Sequence, residues 1–475
     1  MAFVHRHSLN LSSQPRGILL HGKSENQLVF TVRCEISGAD FFNDHEENSR
    51  KKTKKKKMKI LIAGGGIGGL VYALAAKRSG FDFTVFEKDM TTARGEGRAR
   101  GPIQLSSSGL NLLQSIDKDV TSAIIEASNL TSDAPNGIAD GLTGQWLAEI
   151  DFRSPAKRKG IPVSKMICRV ELQRILLNAV GEDNVMNKSK VVDFVSDSNK
   201  VTVFLENGEQ YEGDVLVGAD GLRSVVRSKL FGPNNEPKNS KYVCYTGVQE
   251  CLPAYLPSSG YKFFLGYNKY LLAVDIGKGR MQWYALVKNP PVSSQGYKKM
   301  LLERYGDWCK EVTGMISRTE EETIIRRPIY DIDMMNTWGK GRVVLLGDAA
   351  HAMQPYLGQG STMAIEDCYW LMVELQNVAK RHTVSGIPLH QLTLAFRRYE
   401  DRRKFRVTTI HTICRLIGDV GSHYKTYLFD TGPLQLFNVV SAAVSVKDPV
   451  SVITMKLFQL ALPTIVDWVI ANPEP

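Results

Sequence analysis

The run Gly64-Gly65-Gly66-Ile67-Gly68-Gly69 constrains this chain more than any other feature. Residues 59–63, KILIA, precede it and read as a short apolar strand. Residues 70–76, LVYALAA, follow it and favour a helix, with Gly80 placed where a helix C-terminus accepts glycine. Residues 81–86 read as a second strand that ends at Glu87, with Lys88 beside it. The result is a βαβ unit with GxGxxG at Gly64, Gly66 and Gly69, and an acid 18 residues beyond the last glycine. One glycine makes the tight turn, one lets a pyrophosphate approach the backbone, and one lets helix and strand pack closely. The helix N-terminus adds free N–H donors and a positive dipole end for phosphates, and Glu87 suits ribose hydroxyls. FAD, NAD and NADP share this half, so the motif alone leaves the dinucleotide open.

A second block lies far along the chain. Residues 342–346 form another apolar strand that runs into Gly347-Asp348, and His351 and Pro355 follow. The turn Gly358-Gln359-Gly360 then opens a helix near Ser361. A strand-end aspartate can bind a flexible polyol. A glycine turn at a helix N-terminus can stabilise negative charge developing on a planar ring. Asp348 lies 279 residues beyond Gly69, so the fold must bring the two sites together. Between them a third strand over 214–218 ends near Asp220-Gly221, followed by Ser224 and Arg227; alone, this is an ordinary turn. His351 reads as a packing residue rather than a general base.

Composition narrows the class. With 475 residues, 43% hydrophobic and 23% charged, the chain has material for two or three globular domains. Disorder, collagen and coiled coil each need a bias that is missing. The seven cysteines have no metal-ligand spacing, so neither a zinc site nor a disulfide scaffold is expected. Net charge is +11, and residues 1–57 hold 11 Lys/Arg against 6 Asp/Glu. Seven of the eight residues 50–57 are basic, which reads as a solvated linker; no nucleic-acid role is expected. Residues 1–24 contain no acid and carry Arg6, Arg16 and Lys23 among serines. An organelle transit segment with a cleavage region near Val32-Arg33-Cys34 and a disordered tail both fit. No uncharged apolar stretch is convincing as a membrane span.

Residues 242–284 contain ten aromatic residues, against 9% for the whole chain. Alternation such as Tyr261/Phe263 reads as strand. Two accounts stay open here: a sheet with an aromatic core, or the same sheet with one face lining an apolar substrate cavity.

The three blocks, in this order, resemble the class A FAD-dependent monooxygenases of the para-hydroxybenzoate hydroxylase type, whose motifs are GxGxxG, DG and GD. The likeness runs from about 58 to 400 and sharpens in RGEGRARGPIQL (94–105), YEGDVLVGADGLRSVVR (211–227), MQWYA (281–285) and WGKGRVVLLGD (338–348). The resemblance implies a doubly wound, Rossmann-like α/β FAD-binding domain, a smaller, mostly antiparallel substrate sheet, and C-terminal helices. Implied boundaries are 58–235 and 335–395 for the FAD domain, with a substrate-domain insertion near 105–160. The substrate domain takes 236–334, and a helical region takes 396–475. Arg100, Gly101, Arg169, Asp220 and Pro355 fall on positions the family uses at the flavin, and no catalytic side chain or metal ligand is implied.

With GQGSTMAIED (358–367), the chain is similar to the branch that epoxidises the β-rings of xanthophylls in plastids. That implies FAD, O2, a C4a-hydroperoxyflavin, and NADPH or reduced ferredoxin as donor, with peripheral thylakoid or envelope contact. No second GxGxxG is evident for a separate NADPH domain. Plant members continue into a forkhead-associated domain; this sequence reaches Pro475 without one, so no phosphopeptide role is expected of it. Tyr356 and Thr362 also depart from the pattern. The rival readings are a hydroxylase of an aromatic or polyketide-like substrate, and a non-catalytic flavin redox sensor.

Overall fold

In the computed structural model, the strand Lys59–Ala63 lies at the centre of a six-stranded sheet, with Ile60, Leu61, Ile62 and Ala63 fully buried. A strand covered on both faces must be apolar throughout rather than alternating, and this run is. The structure describes residues 57–91, 101–128, 135–249, 260–266, 269–277, 280–290, 296–381, 387–421, 464 and 467–471. The transit-like start, most of the basic run, Arg100 and much of the tail beyond 421 lie outside the described residues.

Across the first sheet the order is Gly339–Lys340, Val343–Leu345, Val215–Gly218, Lys59–Ala63, Asp82–Phe86 and Val185–Met186. All pairings are parallel except that of Gly339–Lys340. This order puts the ends of Lys59–Ala63, Val215–Gly218 and Val343–Leu345 side by side. The three motif turns therefore leave the sheet from the same edge, although they are far apart in sequence. Helix Ile67–Arg78 crosses from the first glycine turn and packs on helix Gly360–Arg381, where the Cys368 thiol donates to Gly68 O at 3.2 Å.

The second sheet has seven strands, ordered Ile325–Asp331, Lys238–Gln249, Arg280–Lys288, Lys269–Gly277, Tyr261–Gly266, Asn136–Asp140 and Trp146–Glu149. Only Tyr261–Gly266 and Asn136–Asp140 pair in parallel. The two faces are used differently. Tyr245, Phe264, Leu271, Ala273, Trp283 and Ala285 point into a core closed by helices Tyr297–Tyr305 and Lys310–Arg318. There Trp283 Nε1 donates to Thr319 Oγ1 at 2.9 Å, which satisfies its buried indole N–H. The opposite face turns toward the first sheet. Helix Leu389–Gly421 completes the fold, as expected of the helical C-terminal region.

Candidate functional site: a dinucleotide cradle beneath an apolar wall

The glycine turn is shaped by contacts that leave no room for side chains. Gly64 has φ +105°, and a Cβ there would sit 2.4 Å from Ala219 O. A Cβ on Gly69 would lie 1.9 Å from Gly64 O. Gly66 differs: its Cβ position has nothing within 4 Å, and it opens on a cavity. Two glycines thus allow close packing and the third leaves space for a ligand, which is the division of labour that a dinucleotide turn requires. Helix Ile67–Arg78 has no side-chain cap and no acid in its first turn, so its leading N–H groups stay available for phosphate.

Around that opening the other turns converge. Gly66, Ile67 and Gly68 share a cavity of about 430 Å³ with Ala219, Gly221, Gly347, Asp348, Pro355, Gly358 and Gly360. Arg169, the first residue of helix Arg169–Val180, also lines it. A gap of 279 residues is closed by the parallel order of three strands. These open, backbone-lined turns fit FAD. Gly66, Gly347, Asp348 and Gly360 border the space such a ligand would occupy.

Other expected residues stand behind the cavity rather than in its lining. Glu87 accepts from Gly65 N at 2.6 Å and from Asp89 N at 3.0 Å, so it steadies the turn from outside, while Lys88 is exposed. A Cβ on Gly101 would lie 2.3 Å from the Tyr284 hydroxyl, which fixes how closely this segment approaches the second sheet. Asp220 accepts from Ser224 Oγ at 2.5 Å, Val225 N at 2.8 Å and Val226 N at 3.1 Å. It therefore holds the N-terminus of helix Val225–Phe231. Burial raises its carboxyl above the usual range, against those hydrogen bonds. The buried Arg227 donates to Leu222 O and Ala349 O at 2.6 and 3.1 Å, which ties the DG segment to the GD segment.

His351 is 1% exposed and its Nε2 lies 2.5 Å from Asp367 Oδ2, so it belongs to a buried cluster rather than to the cavity. Asp367 was not singled out as a site residue in the sequence. Its signal was two adjacent acids, Glu366 and Asp367, inside a helix that is otherwise buried and mostly apolar.

The second sheet forms the roof. Cys244, Tyr261, Phe263, Leu272, Val274, Tyr284 and Leu286 face the cavity, and none carries a formal charge. The sheet registers Phe263 with Leu272 and Leu272 with Tyr284, so the wall is one continuous row across three strands. The aromatic region therefore builds a closed core with one face of the sheet and lines an apolar cavity with the other. Burial pushes the thiol of Cys244 and the hydroxyl of Tyr261 up to about 12, so both stay neutral.

The FAD-binding domain family matches residues 57–387. The chain belongs to this family. That decides among the three dinucleotides the glycine motif left open. Over 87% of its length the chain is 45% identical to a chloroplastic zeaxanthin epoxidase of Solanum lycopersicum, and over 86% it is 46% identical to that of Arabidopsis thaliana. It spans about 61% of the length of each of these curated relatives. Among solved structures, a variant of Klebsiella pneumoniae HpxO complexed with FAD is 26% identical with a TM-score of 0.67, covering 77% of this chain and 90% of that one. HpxO complexed with FAD and uric acid has a TM-score of 0.73 at 23% identity, covering 89% and 100%, and shares the fold. The chain is thus zeaxanthin epoxidase-like, within the class A flavin monooxygenase family that its motifs resemble.

Proposed function

We propose that this chain is an FAD-dependent monooxygenase that epoxidises the β-rings of a xanthophyll, taking zeaxanthin to antheraxanthin and then violaxanthin. The observation that carries this reading is the uncharged wall. Among the described residues lining the cavity, only Arg169 and Asp348 carry a formal charge, and neither belongs to the sheet that forms the wall. A substrate held against the wall gains from apolar burial and loses if it brings an unpaired charge. A non-ionic ring with an electron-rich double bond suits that surface better than a carboxylate does. The similarity to zeaxanthin epoxidases supports the same substrate class.

Bound FAD supplies two-electron transfer and O2 activation, so that one oxygen atom enters the alkene and the other leaves as water. The chain's own groups do the rest. The glycine turns fix the cofactor through backbone N–H groups, and Arg169 adds positive charge at the cavity edge. The wall orients the ring and excludes water, which would otherwise divert the activated oxygen to hydrogen peroxide. The two electrons come from NADPH or reduced ferredoxin.

Purified protein supplied with FAD, a reductant, O2 and zeaxanthin should yield mono- and di-epoxide on chromatography. Turnover on a small phenol with none on the carotenoid would overturn the substrate assignment and favour an aromatic hydroxylase.

The relatives' chloroplastic names support a plastid location, which a reporter fused after residues 1–57 would check. Helix Arg153–Lys159 exposes Lys157, Arg158 and Lys159, the last two paired with a single acid, Asp467, so the edge keeps a net positive charge, and Phe405 is 70% exposed and touches Trp468. This edge suits an anionic lipid surface. Co-sedimentation with anionic but not zwitterionic vesicles would support that contact. Among the described residues no helix is long and apolar enough to cross a membrane.

A further inference from the structure

Behind the GD turn lie four charged side chains with almost no exposure. Glu366 and Asp367 stand next to each other on helix Gly360–Arg381, and Arg403 and Arg406 face them from helix Leu389–Gly421; all four are at most 1% exposed. Arg403 donates from Nε to Asp367 Oδ1 at 2.9 Å and from Nη1 to Glu366 Oε2 at 2.6 Å. Arg406 donates from Nε to Glu366 Oε2 at 3.0 Å and from Nη2 to Val469 O at 2.9 Å. The quartet is formally neutral. Stability gives little reason to bury it, because desolvating such ions offsets most of their attraction, and apolar replacements of similar volume are often as stable.

What the quartet does hold is a piece of backbone at the cavity. Gly347 N–H donates to Asp367 Oδ2 at 2.9 Å. Gly347 has φ +58°, a conformation that side-chain-bearing residues rarely adopt, and it lines the cavity with Asp348. His351, one turn on, is fixed by the same oxygen. The turn that meets the cofactor is therefore fastened to a buried carboxylate, and that carboxylate is oriented by a buried arginine.

We propose that Asp367 and Arg403 are positioning residues for FAD: together they fix the Gly347–Asp348 turn, and their opposed charges set the electrostatic potential at the flavin. This rests on the FAD assignment and reaches beyond it, to a pair that need not touch the cofactor. Because the two charges lie in a medium that screens poorly, removing either one changes the net charge of the buried cluster behind the Gly347–Asp348 turn by one unit.

The test is spectroelectrochemical titration of the flavin in the holoprotein, with FAD affinity measured beside it. Asp367→Asn makes the site more positive and should raise the midpoint potential. Arg403→Gln makes it more negative and should lower it. Both should weaken FAD roughly tenfold through a lost charge-assisted hydrogen bond. Arg403→Lys keeps the charge without the fork and should weaken FAD at an unshifted potential. The double variant Asp367→Asn/Arg403→Gln should return near the wild-type potential, which keeps the claim testable if a single variant fails to fold. Shifts of one sign in both single variants, or no shift with flavin bound, would overturn the proposal. A wild-type protein that takes up no flavin would instead remove the assignment beneath it.

Discussion

The cavity has two unlike sides. Its cradle is made largely of backbone: glycines at turns where strands end and helices begin. Its wall is made of side chains from one face of a sheet. Cradle chemistry depends on the absence of atoms, so it appears in sequence as glycine at fixed spacing. Wall chemistry depends on which apolar side chains stand in register, and many combinations would build an equivalent surface. A change in the cradle should therefore act on the cofactor, and a change in the wall on the substrate or on the sheet itself.

The largest effect is expected from Gly69→Ala, whose Cβ would sit 1.9 Å from the Gly64 carbonyl oxygen, which belongs to a rigid turn. The variant should purify without flavin, as absorbance would show. Leu272→Glu should break the comparison the other way: the flavin is retained, but reoxidation of reduced flavin is no longer accelerated by xanthophyll, as stopped-flow would record. Loss of flavin in this variant would mean that cradle and wall are not separable. Trp283→Ala, on the closed face of the same sheet, should lower stability by about 3–5 kcal/mol in denaturant titration. Leu272→Ala, on the cavity face, should cost clearly less, because its side chain already borders open space.

The smallest effect concerns a thiol in the wall. Burial holds Cys244 up at about 12, whereas Cys168 is exposed. At pH 8, iodoacetamide should label Cys168 and spare Cys244, which peptide mapping would check. The linked stability runs in one direction. The raised thiol contributes fully below the unfolded value of roughly 8.5, and that contribution is lost as pH rises toward about 12. Between those limits the unfolded chain gives up this proton while the fold retains it.

Much of the architecture was legible. The apolar run 59–63, the glycines after it and the acid at 87 fixed a βαβ unit, and the GD and GQG turns pointed to a second contact with the same ligand. Gly66, Gly347, Asp348, Pro355, Gly358, Gly360 and Arg169 do meet around one cavity. The order of three parallel strands does this, and it follows from pairing rather than from any local signal. The quartet behind Gly347 was less visible. Arg403 and Arg406 sit in the basic stretch RRYEDRRKFR, which looks like a solvated helix face until its partner helix is known. The closed and open faces of the aromatic sheet were indistinguishable in sequence for the same reason: alternation shows that two faces exist, not what covers each.

The most direct test of the convergence uses two cavity glycines, one from each turn, whose side-chain positions are open and whose φ is not positive. A Cβ on Gly66 would meet nothing within 4 Å, and one on Gly360 would meet only Asp348 Oδ1 at 4.0 Å. Gly66→Ala and Gly360→Ala should therefore fold as the parent does, which circular dichroism can confirm, yet each should put a methyl group into space that the ligand needs. Titration of FAD into the three apoproteins should give tight uptake for the parent and a marked loss of affinity in both variants. Parental affinity in either one would mean that the two turns do not grip the same molecule.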